Sequence, residues 1–346
     1  MPESMAPPDD LERRARATLP PDVHAYYAAG AGDEISRHEA TAAWRSWRLL
    51  PRVLRDVSTV TTGIDLLGAA LTAPVAAAPT ALHTLAHPDG EIATAEGVAA
   101  AGSLLILSAR SGHRLETVAA AAGPWWYQVY VQRDRAGTAE QVQRAAAAGA
   151  RALVLTADAP YVYPRAGVVG ALPVVGEQAG EVTPGHRPAA REQDPAATFA
   201  AIGWLTALSG LPVLVKGVLH PADAVACADA GAAGVIVSNH GGRQLDRAVP
   251  AAHALRPVVE AVAGRVPVLA DGGIRDGLDV LTALALGARA VLIGRPVLWS
   301  LATGGAAGVT QCFDTYREGL RRAMSLAGVR SPAEVTADLL RPARCP

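Results

Sequence analysis

Lysine is all but missing from this chain: of 31 lysines and arginines, only Lys216 is a lysine. Aromatic residues are scarce too, at 4%, although half the residues are hydrophobic, so a core must be built mostly from Ala, Val and Leu. The three cysteines, Cys227, Cys312 and Cys345, are odd in number and far apart. That excludes a disulfide framework or a cysteine-based metal site, and points to a reducing cytoplasm. A formal net charge of −1 gives no electrostatic basis for binding nucleic acid or an anionic membrane. No apolar run reaches the roughly 20 residues that cross a bilayer. Residues 1–10 are proline-rich and acidic, not basic and then apolar, so no signal peptide is expected. These absences leave a soluble intracellular protein.

What is present is a regular series of short apolar runs, at 75–79, 104–107, 126–131, 152–156, 213–217, 234–238, 266–271 and 290–294. Alanine-rich helical stretches lie between most of them, such as those at 139–148, 222–230 and 279–286. Each of these three ends on a glycine (Gly149, Gly231, Gly287) suited to a helix C-terminus. Eight β-then-α units predict a (β/α)8 TIM barrel in an α/β chain. A doubly wound sheet is the alternative, weakened by the lack of a G-x-G-x-x-G turn after the first strand. One domain is expected: an N-terminal helical arm over 1–70, the barrel over 71–328 and a tail over 329–346.

A barrel gathers its chemistry at the C-terminal strand ends. Here those ends carry Thr80; Ser108; Gln128 and Tyr130; Thr156 and Asp158; Lys216; Ser238, His240 and Arg243; Asp271, Gly272, Gly273 and Arg275; and Gly294 with Arg295. Polar groups at all eight ends imply a large polar ligand over the barrel mouth. His240 and Arg243 offer a base and a carboxylate clamp three residues apart on one glycine-rich loop. The glycines and arginines of the last two strands suit a phosphate at helix starts. Lys216, a compact point charge, suits a ring nitrogen where a forked guanidinium would not. With Ser108, Gln128 and Thr156 beside it, the combination points to FMN rather than a dinucleotide. No metal site is expected.

With these residues assembled, the chain resembles the FMN-dependent α-hydroxy acid oxidase and dehydrogenase family, from about Leu11 to Gly328. The resemblance is carried by Tyr26-Tyr27-Ala28-Ala29-Gly30-Ala31, Ala78-Pro79-Thr80-Ala81, His87-Pro88-Asp89-Gly90-Glu91, Gln128-Val129-Tyr130, Leu155-Thr156-Ala157-Asp158 and Val215-Lys216-Gly217. The run from Ser238 to Asp246, the run from Asp271 to Arg275, and Ile293-Gly294-Arg295-Pro296 complete it. It implies that Pro79, Thr80 and Ala81 lie under the flavin's reactive edge, and that Ser108, Gln128 and Thr156 bond its ring. Lys216 would lie near flavin N1. Asp271, Gly273, Arg275, Gly294 and Arg295 would meet the ribityl chain and phosphate, with Gly272 and Ser238 in the same shell.

By the same resemblance His240 is the catalytic base, stabilised by Asp158, while Arg243 and Arg165 grip the substrate carboxylate and Tyr26 and Tyr130 contact the substrate. The implied reaction takes a 2-hydroxy acid to a 2-oxo acid. His240 removes either the hydroxyl proton or the α-proton, two uses the sequence leaves open. O2 is the expected electron acceptor, a quinone or separate carrier the alternative, and a homo-oligomer, often a tetramer in the family, is expected.

Two features depart from the resemblance. Arg110 stands where glycolate oxidase has a bulky aromatic over the substrate; it either reads a second anionic or polar group or turns to solvent. The segment 166–197 is rich in Pro, Gly and charge and is expected to form a short lid. It has no long apolar stretch, which argues against a membrane anchor. Three rivals remain: a flavin-free phosphate-binding isomerase or lyase, a flavoprotein acting on an amine, and an inactive binding protein.

Overall fold

The computed structural model describes residues 8–161 and 193–342. Eight parallel strands close into a barrel in chain order: β1 (Val75–Ala77), β2 (Leu105–Ser108), β3 (Trp125–Val129), β4 (Leu153–Thr156), β5 (Val213–Val218), β6 (Gly234–Val237), β7 (Val268–Asp271) and β8 (Ala290–Ile293). All eight expected strands are there, mostly a residue or two shorter than the apolar runs. The doubly wound alternative falls with the closed ladder, in which β8 pairs back onto β1 through Ile293 and Ala77.

Strand geometry explains the sequence pattern. Successive side chains point to opposite faces, and both faces are buried, so the runs are continuously apolar. One set, including Leu105, Tyr127, Leu153, Val213 and Val291, packs in the cluster beneath the helices. The alternate set, Ala76, Ile106, Trp126, Val154, Leu214, Ile236, Leu269 and Leu292, fills the barrel interior. Trp126 is the one aromatic residue in that interior cluster.

The three glycine-ended helices close alike. Gly149, Gly231 and Gly287 have φ of 90°, 88° and 104°. The next residue's N–H reaches back five positions: Ala150 to Ala145, Ala232 to Cys227 and Ala288 to Ala283, each at 3.0 Å. This left-handed closure satisfies carbonyls that the helix end would orphan.

The flanking segments close the two ends of the barrel. A hairpin, Ile64–Leu66 with Ala69–Leu71, adds Leu66 and Leu71 to the interior cluster. Arg151 and Arg289, just before β4 and β8, donate to its carbonyls at Gly68 and Asp65, so it caps the N-terminal end. Helices Pro8–Thr18, Pro21–Ala28 and Ile35–Arg45 belong to the arm. The arm reaches the opposite end, where Asp246 accepts from the Asp33 and Ser36 amides and Ala31 donates to Gly242. Arm and tail also pair directly, Trp47–Leu49 running antiparallel to Leu340–Pro342.

Of the expected lid, residues 166–192 lie outside the described residues, as does Arg165. Its last residues are described: Gln193 bridges to Gln132, and Asp194 accepts from Arg135 at 2.8 Å.

Candidate active site

Strand parity decides which polar residues meet. Counting every second residue upward from the inward-facing Ile106, Trp126, Val154, Leu214, Ile236 and Leu269 gives Ser108, Gln128, Thr156, Lys216, Ser238 and Asp271. The topmost interior layer of the barrel is thus polar, and these six side chains are all buried. Ser108 donates to Gln128 Oε1 at 3.2 Å, and the Ala109 amide donates to the same oxygen. Lys216 Nζ lies 2.9 Å from Asp271 Oδ2 and donates to Ser238 Oγ at 2.8 Å. Burial works against the lysine's charge, but the carboxylates of Asp271 and Asp158 outweigh it and raise the pKa. Lys216 is a cation locked in a dry site.

Ser238 Oγ also accepts from the His240 amide at 3.0 Å, so one hydroxyl ties the lysine to the histidine. His240 has a left-handed backbone, φ 58°, a conformation costing about 1–2 kcal/mol in a residue with a side chain. That conformation comes with a bond from its Nδ1 to Asp158 Oδ1 at 2.9 Å. Burial pushes the Asp158 carboxyl up, yet the neighbouring imidazole and the Lys216 ammonium pull it down further, below the ordinary carboxylate range. Asp158 is therefore an anion across the neutral range, and His240 Nε2 is the nitrogen left to act.

Gly217 makes that pairing possible. It has φ 101°, and the β5–β6 register shifts at it. A Cβ there would lie 2.4 Å from Asp158 Cγ. The sequence signal for this residue was the glycine directly after the lone lysine, in a strand where glycine is otherwise costly.

Beside this dyad opens a cavity with about 930 Å³ of atom-free space, the open solvent at its entrance included. Pro79, Thr80 and Ala81 line it, with Ser108 and Lys216 of the polar layer and with Tyr26, Tyr130, Arg110, His240 and Arg243. Asp271, Gly272, Gly273, Arg275, Gly294 and Arg295 complete its wall. Three expected residues, Gln128, Asp158 and Ser238, are not on that lining but bond Ser108, His240 and Lys216, which are. Thr156 borders an adjacent cavity with Leu155, Phe199 and Cys227, while pairing in register with Lys216.

The arginines do more than the sequence suggested. Arg243 donates to the carbonyls of Tyr26, Tyr27 and Ala29, and Arg295 to those of Tyr27, Ala29 and Gly241. They clamp the arm onto the barrel mouth, contacts that span more than 200 residues and leave no local trace. Missed as well were His83 and Glu91. The buried Glu91 carboxylate accepts from the His83 and Gly112 amides at 2.9 and 2.8 Å, stapling the loops after β1 and β2. His83 in turn bonds the Thr80 hydroxyl and Thr94.

The residues fit an FMN-sized polar ligand on three observations. Gln128 Nε2 and Asp271 Oδ1 are buried without a partner among the described residues, an arrangement that costs about 1–3 kcal/mol each unless a ligand meets them. Gly272 and Gly273 have φ of 86° and 79° and present backbone at the cavity wall. In the same wall, burial and the nearby charges of Arg243, Arg275 and Arg37 push the Arg295 guanidinium well below its usual range. Three backbone carbonyls accept from Arg295, and an anion bound beside it would further offset the gathered guanidinium charges.

Comparison with known proteins agrees with that geometry. The family model of the FMN-dependent dehydrogenases matches residues 15–342. The chain is 40% identical to an L-lactate oxidase of Nostoc sp., over 96% of each chain. It is 43% identical to a 4-hydroxymandelate oxidase of Amycolatopsis orientalis, over 93% of this chain and 94% of that one. A solved structure of mandelate oxidase with (S)-4-hydroxymandelic acid superposes with a TM-score of 0.89 at 41% identity, covering 97% of this chain and 98% of that one. A closed barrel with a polar upper layer, a buried lysine and a crowded guanidinium site, matched over nearly its whole length by such relatives, belongs to the FMN-dependent dehydrogenase family.

Proposed function

We propose that this protein oxidises a 2-hydroxy acid to the 2-oxo acid with FMN as cofactor, and that O2 takes up the electrons to give hydrogen peroxide. The observation that carries the reading is the His240–Asp158 pair at 2.9 Å, set beside a cavity that a cluster of arginines and glycines also lines. Bound FMN supplies the two-electron acceptor. Gly273, Arg275, Gly294 and Arg295 would hold its phosphate, and Ser108, Gln128, Thr156 and Lys216 the polar edge of its ring. Pro79, Thr80 and Ala81 would line the ring's face.

The chain's own groups then divide the remaining work. Arg243, with Arg165, holds the substrate carboxylate, and Tyr26 and Tyr130 bound the substrate. His240 Nε2 takes a proton from the substrate as its α-carbon is oxidised. The imidazolium that forms is stabilised by Asp158, an anion throughout the neutral range. Lys216 places a fixed positive charge where negative charge builds up, with no reorganisation at the moment of reaction. The reading includes a homo-oligomer, supported by the family resemblance, and a cytoplasmic location, supported by free buried Cys227 and Cys312. No helix among the described residues is long and apolar enough to cross a membrane.

The acceptor is tested by following O2 uptake, peroxide and 2-oxo acid together under air. Equal amounts of peroxide and 2-oxo acid are expected. A flavin that stays reduced in aerated buffer until a quinone is added would replace the oxidase reading with a dehydrogenase.

A further inference from the structure

Arg110 is the cation lining the cavity that the proposed reaction does not use. Its backbone is fixed on both sides: the amide donates to Ser108 Oγ at 3.1 Å and the carbonyl accepts from Leu82 at 3.0 Å. The side chain, half-buried, lines the cavity and lays its guanidinium over the Tyr130 ring, 5.1 Å from the centroid. Stacking uses a face of the guanidinium and leaves the in-plane N–H donors aimed along its edge. No carboxylate lies within ion-pair distance of Arg110 among the described residues.

The charges around the cavity say what that edge is for. Lys216 is matched by Asp271, and a protonated His240 by Asp158. Arg275 and Arg295 line the proposed phosphate site. Arg243 also lines the cavity, over the Tyr26 ring at 5.5 Å, as Arg110 lies over Tyr130. One substrate carboxylate answers Arg243. Arg110 is then left without a counter-charge among the described residues, in a wall that a neutral alkyl or aryl end group would strip of water without pairing it.

We propose that Arg110 is a second anion subsite and that the preferred substrates are 2-hydroxydicarboxylic acids, the second carboxylate meeting the Arg110 edge in a two-pronged hydrogen bond. The inference rests on the 2-hydroxy acid reading above and names the substrate class.

The test compares chain-matched pairs on the FMN-loaded enzyme, such as 2-hydroxyglutarate with 2-hydroxyvalerate, and malate with 2-hydroxybutyrate, with mandelate as the aryl probe. For the better-fitting diacid, kcat/KM is expected to exceed that of its neutral partner by ~10- to 100-fold, the range of a charge-assisted hydrogen bond. Arg110→Met should remove that ratio and Arg110→Glu invert it. A binding readout accompanies this: the dissociation constants of glutarate and valerate, titrated through the flavin spectrum, should differ in the native enzyme and converge in Arg110→Met. A preference for neutral acids or mandelate, or a diacid ratio that survives in Arg110→Met, overturns the subsite and leaves the oxidation reading standing. Failure of every 2-hydroxy acid to reduce the flavin overturns both.

Discussion

Replacing His240 with glutamine will lower kcat for a 2-hydroxy acid by ~10²- to 10⁴-fold, the usual contribution of a positioned base, while the protein stays folded and keeps its FMN. Glutamine keeps a neutral amide of similar reach in place of the ring that bonds Asp158 Oδ1 at 2.9 Å, but it cannot accept a proton. Loss of rate should therefore be confined to turnover. Steady-state kinetics, with flavin content measured on the same sample, will show it. A His240→Gln enzyme within tenfold of the native rate would remove the base assignment, and with it the reason for the left-handed backbone at φ 58°.

The second large effect concerns Lys216. Changing it to methionine keeps the length of the side chain but leaves the buried Asp271 carboxylate facing an apolar group instead of an ammonium 2.9 Å away. Breaking a buried pair from one side costs about 3–5 kcal/mol, because the remaining charge is stranded. Asp158 loses a cation in the same step, since Lys216 helps hold its carboxyl low. Urea unfolding of the apoprotein should register the loss. The double variant Lys216→Met, Asp271→Asn should recover a large part of it, as the stranded charge is then gone. An equally unstable double variant would show that packing, not charge, sets the cost. Activity should stay low in both, because neither restores a positive charge in the polar layer.

Much of this site could be read from the chain because a barrel strand alternates strictly. Once Ile106, Trp126 and Leu214 are inward, Ser108, Gln128 and Lys216 two residues on must be inward too, one layer higher. The glycine-ended helices at Gly149, Gly231 and Gly287 fixed the unit boundaries for an equally local reason. What escaped was contact over distance. Arg243 and Arg295 look like ligand clamps in sequence, and nothing near them reveals that they also bind the carbonyls of Tyr26, Tyr27 and Ala29. Glu91 was visible within a motif, but its bonds to His83 and Gly112 depend on two loops being brought together by β1 and β2. Gly217 carries no side chain to announce a role, yet its bare α-carbon is what lets Asp158 reach His240. The expected partner of Arg243, Arg165, lies outside the described residues.

Electrons leave a 2-hydroxy acid for FMN at this barrel mouth. Mixing the FMN-loaded protein with 2-hydroxy acids in the strict absence of O2 tests it in a single turnover, before any question of acceptor arises. Loss of the oxidised-flavin spectrum with one equivalent of 2-oxo acid per flavin is the predicted result. A flavin that keeps its oxidised spectrum against the whole panel, mono- and dicarboxylic alike, would contradict it.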